Sequence, residues 1–257
     1  MTKTILATFF SCAALAVPSM SLSAEGTLSA SPAVVMLAGA PGQSTTQTLM
    51  ISNATSHTMS FEMKAKDVIV RDGERTFADP GSTGGGIAET ATFTQKLVTV
   101  APGETARVDV TVTIPANPSS RAVVALFTGT QPVKANGMSI TPSLGTLMTF
   151  ALSDNVGADA SALHVQPPTM TSNLVVGQRL VSNGTEPLVA KGMLAIVNAS
   201  GALVGKEAIP ARRLLPGERA DIRAEYGGEL SPGRYRALVT YDLKSKTVTS
   251  TAEFDVR

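Results

Sequence analysis

The segment PGETARVDVTVTI, residues 102–114, indicates the fold class because it joins a turn to a strand. Its Pro-Gly dipeptide is typical of tight turns. From residue 108 onward, Val and Ile alternate with Asp and Thr, so one face of an extended chain is apolar and the other is polar. Alternation with a period of two predicts a β-strand buried on one face, and β-branched residues fit a pleated sheet.

The same alternation recurs in other short segments of the chain. TLMIS at residues 48–52 and MSFEMK at residues 59–64 both follow it, and Gly, Pro, Asn and Ser separate such segments. No window of a dozen residues has a clear helical period. Frequent short strands with turn residues between them predict an all-β chain of sandwich type.

Two sets of turn and strand motifs appear in the same order, which indicates an internal repeat. SNAT at residues 52–55 corresponds to SNGT at 182–185, and the Pro-Gly-Glu turn at 102–104 corresponds to a second one at 216–218. The first copy has more residues than the second between the Ser-Asn-x-Thr motif and the Pro-Gly-Glu turn. The extra residues fall at 71–88, which carry Asp-Pro-Gly and Gly-Gly-Gly and are therefore predicted to form a mobile surface loop.

The repeat predicts two tandem immunoglobulin-like β-sandwich domains. Small and polar residues at 153–161 follow a strongly apolar strand, which is typical of a boundary between domains. We therefore place the first domain at residues 25–154 and the second at 160–257.

Residues 1–24 have the three-part pattern of a signal peptide. Lys3 precedes an apolar run from Ile5 to Val17, and small residues follow up to Ala24. The run is shorter than the about 20 residues that a membrane-spanning helix needs. Cys12 lies inside the run, which disfavours lipidation. We expect cleavage near Ala24 and export to the periplasm, with the cell surface as the alternative location.

Composition argues for binding rather than catalysis. The 21 Lys and Arg nearly balance the 20 Asp and Glu, which disfavours nucleic acid as a partner. One Cys and two His cannot form a Cys/His metal site, and no cofactor motif is present. Neither His57 nor His164 has a nearby catalytic partner in the sequence, and a Gly-x-Ser-x-Gly nucleophile motif is absent. We therefore expect no enzyme activity and no cofactor.

The stretch from residue 136 to residue 152 has the strongest functional content. Met138 and Ile140 alternate with polar residues, and Leu144 continues the alternation beyond Pro142. Pro142 has no backbone N–H group, so it fits a sheet edge or a bend. An apolar sheet edge can pair with a strand of another chain. The alternative is that Met138 and Ile140 cover the core of their own domain.

The order of motifs in the first domain resembles that of the PapD-like periplasmic chaperones, which assemble pili. The resemblance covers most of residues 28–152, through Ile51-Ser52-Asn53, Val100-Ala101-Pro102-Gly103, Ile114-Pro115 and Asn136. It implies two immunoglobulin-like sandwiches, the first of which lends a strand to an incomplete pilin-like subunit. It implies donor-strand roles for Met138 and Ile140, and we take Leu144 as a third donor-strand candidate. It also extends the possible partners to the outer-membrane assembly machinery.

The sequence departs from that family at two places. Pro142 stands where the family has an apolar donor residue. The family also holds the terminal carboxylate of the subunit with an Arg on the first strand and a Lys on the last. Here the first strand has no Arg, and Leu147 stands near the Lys position. The sequence thus predicts a chaperone-like protein that binds pilin-like or other surface subunits by β-strand addition. The alternative is a structural immunoglobulin-like module of the envelope or surface, without chaperone activity.

Overall fold

The computed structural model describes residues 27–135 and 138–257, and β-strands dominate its regular structure. The predicted signal peptide at 1–24 and Asn136 lie outside the described residues. Within those residues, no helix has the length and apolar character needed to cross a membrane.

The first sandwich consists of two packed sheets. One sheet has the spatial order β1 (Leu28–Ser31), β3 (Ser44–Asn53), β8 (Thr105–Thr113) and β6 (Thr92–Phe93). The other has the order β2 (Val34–Ala38), β12 (Ser143–Ala151), β9 (Ala122–Gly129) and β4 (Met59–Arg71), and both β5 (Glu74–Ala78) and β7 (Leu97–Val100) pair with β4. A separate ribbon joins β10 (Val133–Ala135) to β11 (Met138–Ile140).

The alternating residues of β8 explain how this sandwich forms its core. Val108, Val110 and Val112 are buried between the two sheets, whereas the Thr and Asp residues between them face outward. Three phenylalanines from the opposite sheet fill the same core: Phe61, Phe127 and Phe150. Burying each large apolar side chain contributes about 1.5–3 kcal/mol.

The second sandwich has its own pair of sheets. In one, β13 (Ala158–Ala160) and β14 (His164–Gln166) both pair with one edge of β15 (Leu174–Ser182), and β18 (Arg219–Tyr226) pairs with the other edge. The second sheet has the order β17 (Leu203–Leu214), β16 (Leu188–Asn198), β19 (Gly233–Asp242) and β20 (Thr247–Val256). Its core is separate from that of the first sandwich.

The predicted fold class, all-β with two tandem immunoglobulin-like sandwiches, is confirmed. The hydrogen bonds also refine the repeat. In the first sandwich the Asn53 amide donates to the Glu104 carbonyl at 3.0 Å, and in the second the Ser182 amide donates to the Glu218 carbonyl at 2.9 Å. Asn53 thus corresponds to Ser182, so the Ser-Asn motifs are offset by one residue from the sequence alignment. The two domain limits stay a prediction.

The segment at 71–88 was predicted to be a surface loop, and this is wrong for its first and last parts. Residues 74–78 form β5, and Asp72-Gly73, both with positive φ, make a tight turn between β4 and β5. The last part is held by Asp67, whose buried Oδ1 accepts hydrogen bonds from the Ile87 and Ala88 amides at 2.7 and 3.0 Å. A buried carboxylate with several donors is a strong local anchor.

Tyr241 makes the stability of the second sandwich sensitive to alkaline pH. Its side chain is buried, and this burial raises its pKa from 10.0 to about 12. The unfolded chain therefore loses the phenolic proton first, so stability is lost as the pH rises from about 10 to about 12. At about 1.36 kcal/mol per pKa unit, the loss is about 3 kcal/mol. We expect urea unfolding from pH 8 to 12 to show a smaller loss for Tyr241→Phe. An equal loss in both proteins would contradict this prediction.

Candidate functional site

One edge of strand β12 lies open next to the predicted donor residues. Residues 143–149 pair with β9, whereas β2 covers the other edge only from Leu147 to Ala151. Ser143 and Gly145, which precede that covered part, are exposed. We call residues 143–145 the open edge. An unpaired strand edge presents N–H and C=O groups to which another chain can bind.

The hydrogen bonds show which way each residue of β12 points. The Gly129 amide donates to the Pro142 carbonyl at 2.8 Å, so the polar backbone groups of even-numbered residues face β9. The Leu147 amide donates to the Ala33 carbonyl at 3.0 Å, so those of odd-numbered residues face the other side. The backbone groups of Ser143 and Gly145 therefore point out from the open edge.

Pro142 does not remove a donor from that edge. Because residue 142 is even-numbered, its missing N–H group would face β9 rather than an added strand. A Cβ atom at Gly129 would lie 2.9 Å from the Pro142 Cγ, so the proline ring occupies the space that this glycine leaves. Gly129 and Pro142 thus fit each other, and the proline is compatible with strand addition.

Met138 and Ile140 lie just before the open edge, on β11. Their side chains are 62% and 46% exposed, so the alternative that they cover their own core is wrong. The long strand suggested by the sequence is interrupted at residues 141–142, between β11 and β12. Leu144 differs from the other two candidates, since it is partly buried against the first core. Their roles as donor residues stay a prediction.

A buried ion pair joins the two sandwiches beside this sheet. Glu186, which is 2% exposed, lies 3.3 Å from the Arg121 Nε atom of the first sandwich. The same carboxylate accepts a hydrogen bond from the Leu152 amide at 2.8 Å and one from the Ser153 hydroxyl at 3.2 Å. A small apolar cluster lies between the sandwiches as well and comprises Val68, Ala122, Val124 and Leu215.

The turn between β4 and β5 makes a second junction. The Arg219 amide donates to the Gly73 carbonyl at 2.9 Å, and the Arg219 guanidinium donates to the Asp72 carbonyl. Beside it, the Arg75 Nε atom lies 2.9 Å from a Glu218 oxygen. The residues that distinguish the longer first copy therefore dock on the second sandwich.

Replacing Gly73 by alanine is expected to weaken this junction. Gly73 has a φ of +81°, and an added Cβ would meet the Arg219 side chain. Gly42→Ala is the matched control, since Gly42 has a φ of +80° with nothing within 4 Å. We expect Gly42→Ala to lower the free energy of unfolding by about 1 kcal/mol through backbone strain. The loss for Gly73→Ala should be about 1 kcal/mol larger, because it also breaks side-chain hydrogen bonds. Equal losses in urea unfolding would show that the junction contributes nothing.

Between the sandwiches lies a cleft of about 510 Å³, which begins where β2 covers β12. Its lining includes the apolar side chains of Val34 and Leu147. It also has four arginines against two acids, namely Arg75, Arg212, Arg213 and Arg219 against Glu74 and Glu218. Arg75 and Arg219 are engaged in the junction described above. Arg212 and Arg213 are exposed on β17, and the Arg213 carbonyl accepts a hydrogen bond from Arg75. This cleft can attract an anionic group.

Sequence reasoning did not find the cleft arginines, Glu186 or Asp67. The two histidines that it did consider lie far apart, His57 in a turn of the first sandwich and His164 on β14 of the second. Within residues 27–135 and 138–257, no group of three His, Cys, Asp or Glu side chains has the arrangement of a metal site.

No known protein family and no curated protein matches this sequence. Several solved structures are similar to it at low identity. The class 5 fimbriae chaperone CfaA is 15% identical, with 88% of this chain and 98% of the matched chain covered and a TM-score of 0.48. The complex of the CsuC chaperone with CsuE, from Csu pili of Acinetobacter baumannii, is 9% identical. The match covers 88% of this chain and 98% of the matched chain, with a TM-score of 0.43. The complex of the Salmonella enterica SafB chaperone with SafA pilin is 12% identical. The match covers 89% of this chain and 97% of the matched chain, with a TM-score of 0.39. The similarity of these structures to this chain is one of fold.

Proposed function

We propose that this chain is a periplasmic, chaperone-like protein that binds a pilin-like subunit by β-strand addition. The observation that carries the proposal is the open edge at residues 143–145, which follows directly on the exposed Met138 and Ile140. The function is binding, without enzyme activity. Export through the signal peptide at 1–24, and delivery to an outer-membrane assembly machinery, are parts of the same proposal.

The backbone groups of the open edge supply the first part of the contact. Ser143 and Gly145 each offer one N–H and one C=O group to an added strand. The added strand stops at Leu147, because β2 takes over the same edge there through the bond from the Leu147 amide to the Ala33 carbonyl. Hydrogen bonds between main chains give affinity without reading the sequence of the partner.

Apolar side chains supply the second part. Met138 and Ile140 stand at alternate positions, so they can enter neighbouring pockets along a groove. Leu144 is a third donor candidate, through the part of its side chain that the first core leaves uncovered. The two exposed side chains would leave water, and each contributes about 1.5–3 kcal/mol if fully buried. The subunit should therefore present an apolar groove that lacks one strand of its own.

The cleft supplies a charged contact at the far end of the open edge. We assign to Arg212 and Arg213 the attraction of a carboxylate at the end of the subunit, in place of the Arg and Lys that the sequence lacks. Both arginines line the same cleft as Val34 and Leu147. Guanidinium groups bind carboxylates through paired hydrogen bonds.

The domain limits belong to the proposal too. The separate cores support a first domain at 25–154 and a second at 160–257. The ion pair between Glu186 and Arg121 supports a fixed relation between them, which would hold the cleft next to the open edge.

Amide hydrogen exchange tests the proposed mode of binding. The first probe is a pilin-like subunit encoded beside the gene for this chain, and the absence of such a gene would weigh against the function. In the free protein the Ser143 and Gly145 amides should exchange rapidly, and in the complex they should become protected. The Leu147 amide is the internal control, since its bond to Ala33 already protects it. A complex in which Ser143 and Gly145 still exchange rapidly would exclude strand addition at this edge and favour the structural module.

A further inference from the structure

A depression on the outer face of the second sandwich is centred on Gly177. This glycine lies in the middle of β15, where glycine weakens a strand because it has no side chain to pack. A Cβ atom at Gly177 would have nothing within 4 Å. Four other strand glycines leave space that their own chain fills, namely Gly129, Gly145, Gly192 and Gly205. The space above Gly177 is therefore open to a group from outside.

Two nitrogen-bearing side chains flank this open space. Gly177 pairs with His164 of β14 on one side and with Arg223 of β18 on the other, so the three residues form one row across the sheet. Neighbouring strands lie about 4.8 Å apart, which places the two flanking Cα atoms about 10 Å from each other. The depression has a volume of about 590 Å³. A group bound above Gly177 would therefore lie between the His164 and Arg223 side chains.

The acidic side chains nearby are already engaged. Arg179 holds Asp221 through two hydrogen bonds of 2.8 and 3.1 Å, and this contact keeps the pKa of Asp221 below its ordinary value. Glu225 accepts a hydrogen bond from Asn173 at 2.8 Å and lies 3.9 Å from Arg223. In the part of the chain that the structure describes, no hydrogen bond or ion pair engages the His164 ring. The positive charge of Arg223 is thus only weakly compensated.

We propose that this depression is a second protein-binding surface, which takes an Asp or Glu side chain of an acidic partner segment between His164 and Arg223. The missing side chain at Gly177 lets the backbone of that segment come close to the sheet. The near-neutral charge of the chain disfavours nucleic acid as the occupant. The surface does not depend on the open edge, since it lies on the other sandwich.

The test uses the mature chain and an acetylated, amidated hexaglutamate peptide as the probe. We expect saturable NMR shifts of the His164, Gly177 and Arg223 amides. Arg223→Ala should lower the affinity for the peptide about tenfold, since it removes a hydrogen bond to a charged group. Arg236→Ala is the matched control, because Arg236 is an exposed arginine of the same sandwich on β19, paired with Glu253. The Arg236→Ala variant should bind the peptide with the same affinity as the original chain.

A Gly177→Val variant separates binding from structure. Valine suits a strand and meets open space, so this variant should unfold at a temperature no lower than the original chain. It should nevertheless bind the peptide at least tenfold more weakly, because the side chain fills the depression. Three results would each overturn the proposal: no saturable shift, equal weakening by Arg236→Ala, or the same shifts with inorganic phosphate at equal concentration. The last would show a general anion site instead of a surface for acidic protein segments.

Discussion

Replacing Glu186 by alanine is expected to lower the free energy of unfolding by about 3 kcal/mol, because the Leu152 amide and the Ser153 hydroxyl lose a charged acceptor and Arg121 loses its ion-pair partner. The carboxylate is buried, it lies 3.3 Å from the Arg121 Nε atom, and it accepts hydrogen bonds from the Leu152 amide and the Ser153 hydroxyl. We expect urea unfolding, followed by fluorescence and circular dichroism, to change from one transition into two. The two sandwiches would then unfold separately, since one of the two polar junctions between them is gone.

Two variants make this result specific. Glu186→Gln keeps an acceptor for the Leu152 amide but removes the charge, so its loss should be smaller. Glu253→Ala removes an acid that pairs with Arg236 at 3.1 Å but is about half exposed. Pairs of that kind contribute less than about 1 kcal/mol. If Glu186→Ala cost no more than Glu253→Ala, the junction at Glu186 would not hold the sandwiches together.

The strands were predictable because their periodicity is local. β8 alternates Val with Asp and Thr, and the structure buries each Val, so a segment of seven residues suffices to indicate its state. The turns were predictable for the same reason: Gly103 and Gly217, each after a proline, both have a φ of +77°. Local pattern did not suffice for the segment at 71–88, since its Gly and Pro residues indicate turns but not the short strand between them.

The junction between the sandwiches could not be predicted, because it depends on residues far apart in the chain. Glu186 and Arg121 are ordinary charged residues in turns, and nothing local indicates that they meet or become buried. One difference between the repeats does carry information. Leu215 precedes the second Pro-Gly-Glu turn and is buried between the sandwiches, whereas the first copy has Ala101, which is exposed. An apolar residue at one of two equivalent turns indicates that only this turn is covered.

Pro142 shows a different limit of sequence reasoning. The sequence counts Pro142 as a departure because it stands where the family has an apolar donor residue, and it shows separately that the residue has no N–H group. The direction in which that group would point depends on the pairing with β9, which places it away from the open edge. The structure thus shows that Pro142 takes no donor from the open edge, while the missing apolar donor residue and the missing Arg and Lys remain real differences.

Ile140→Asp is expected to abolish the complex with a pilin-like subunit. The isoleucine side chain would lose about 1.5–3 kcal/mol of burial. The new carboxylate would also have to leave water without a partner, which is strongly unfavourable. Together these effects exceed about 3 kcal/mol, which corresponds to more than a hundredfold in affinity. Copurification from periplasmic extracts, followed by titration of the purified proteins, measures the loss. The free energy of unfolding of the free chain should not change, because the side chain is 46% exposed.

Leu203→Asp is the matched control for that variant. Leu203 is 61% exposed on β17, so the substitution introduces the same charge at a large apolar residue away from the open edge. Equal affinities for Ile140→Asp and the original chain would exclude Ile140 as a donor residue. Equal losses for both substitutions would instead show a general effect of added negative charge on the association. Only a loss confined to Ile140→Asp, together with protection of the Ser143 and Gly145 amides, fits a strand added along β12, because side-chain pockets and backbone pairing must then act at the same edge.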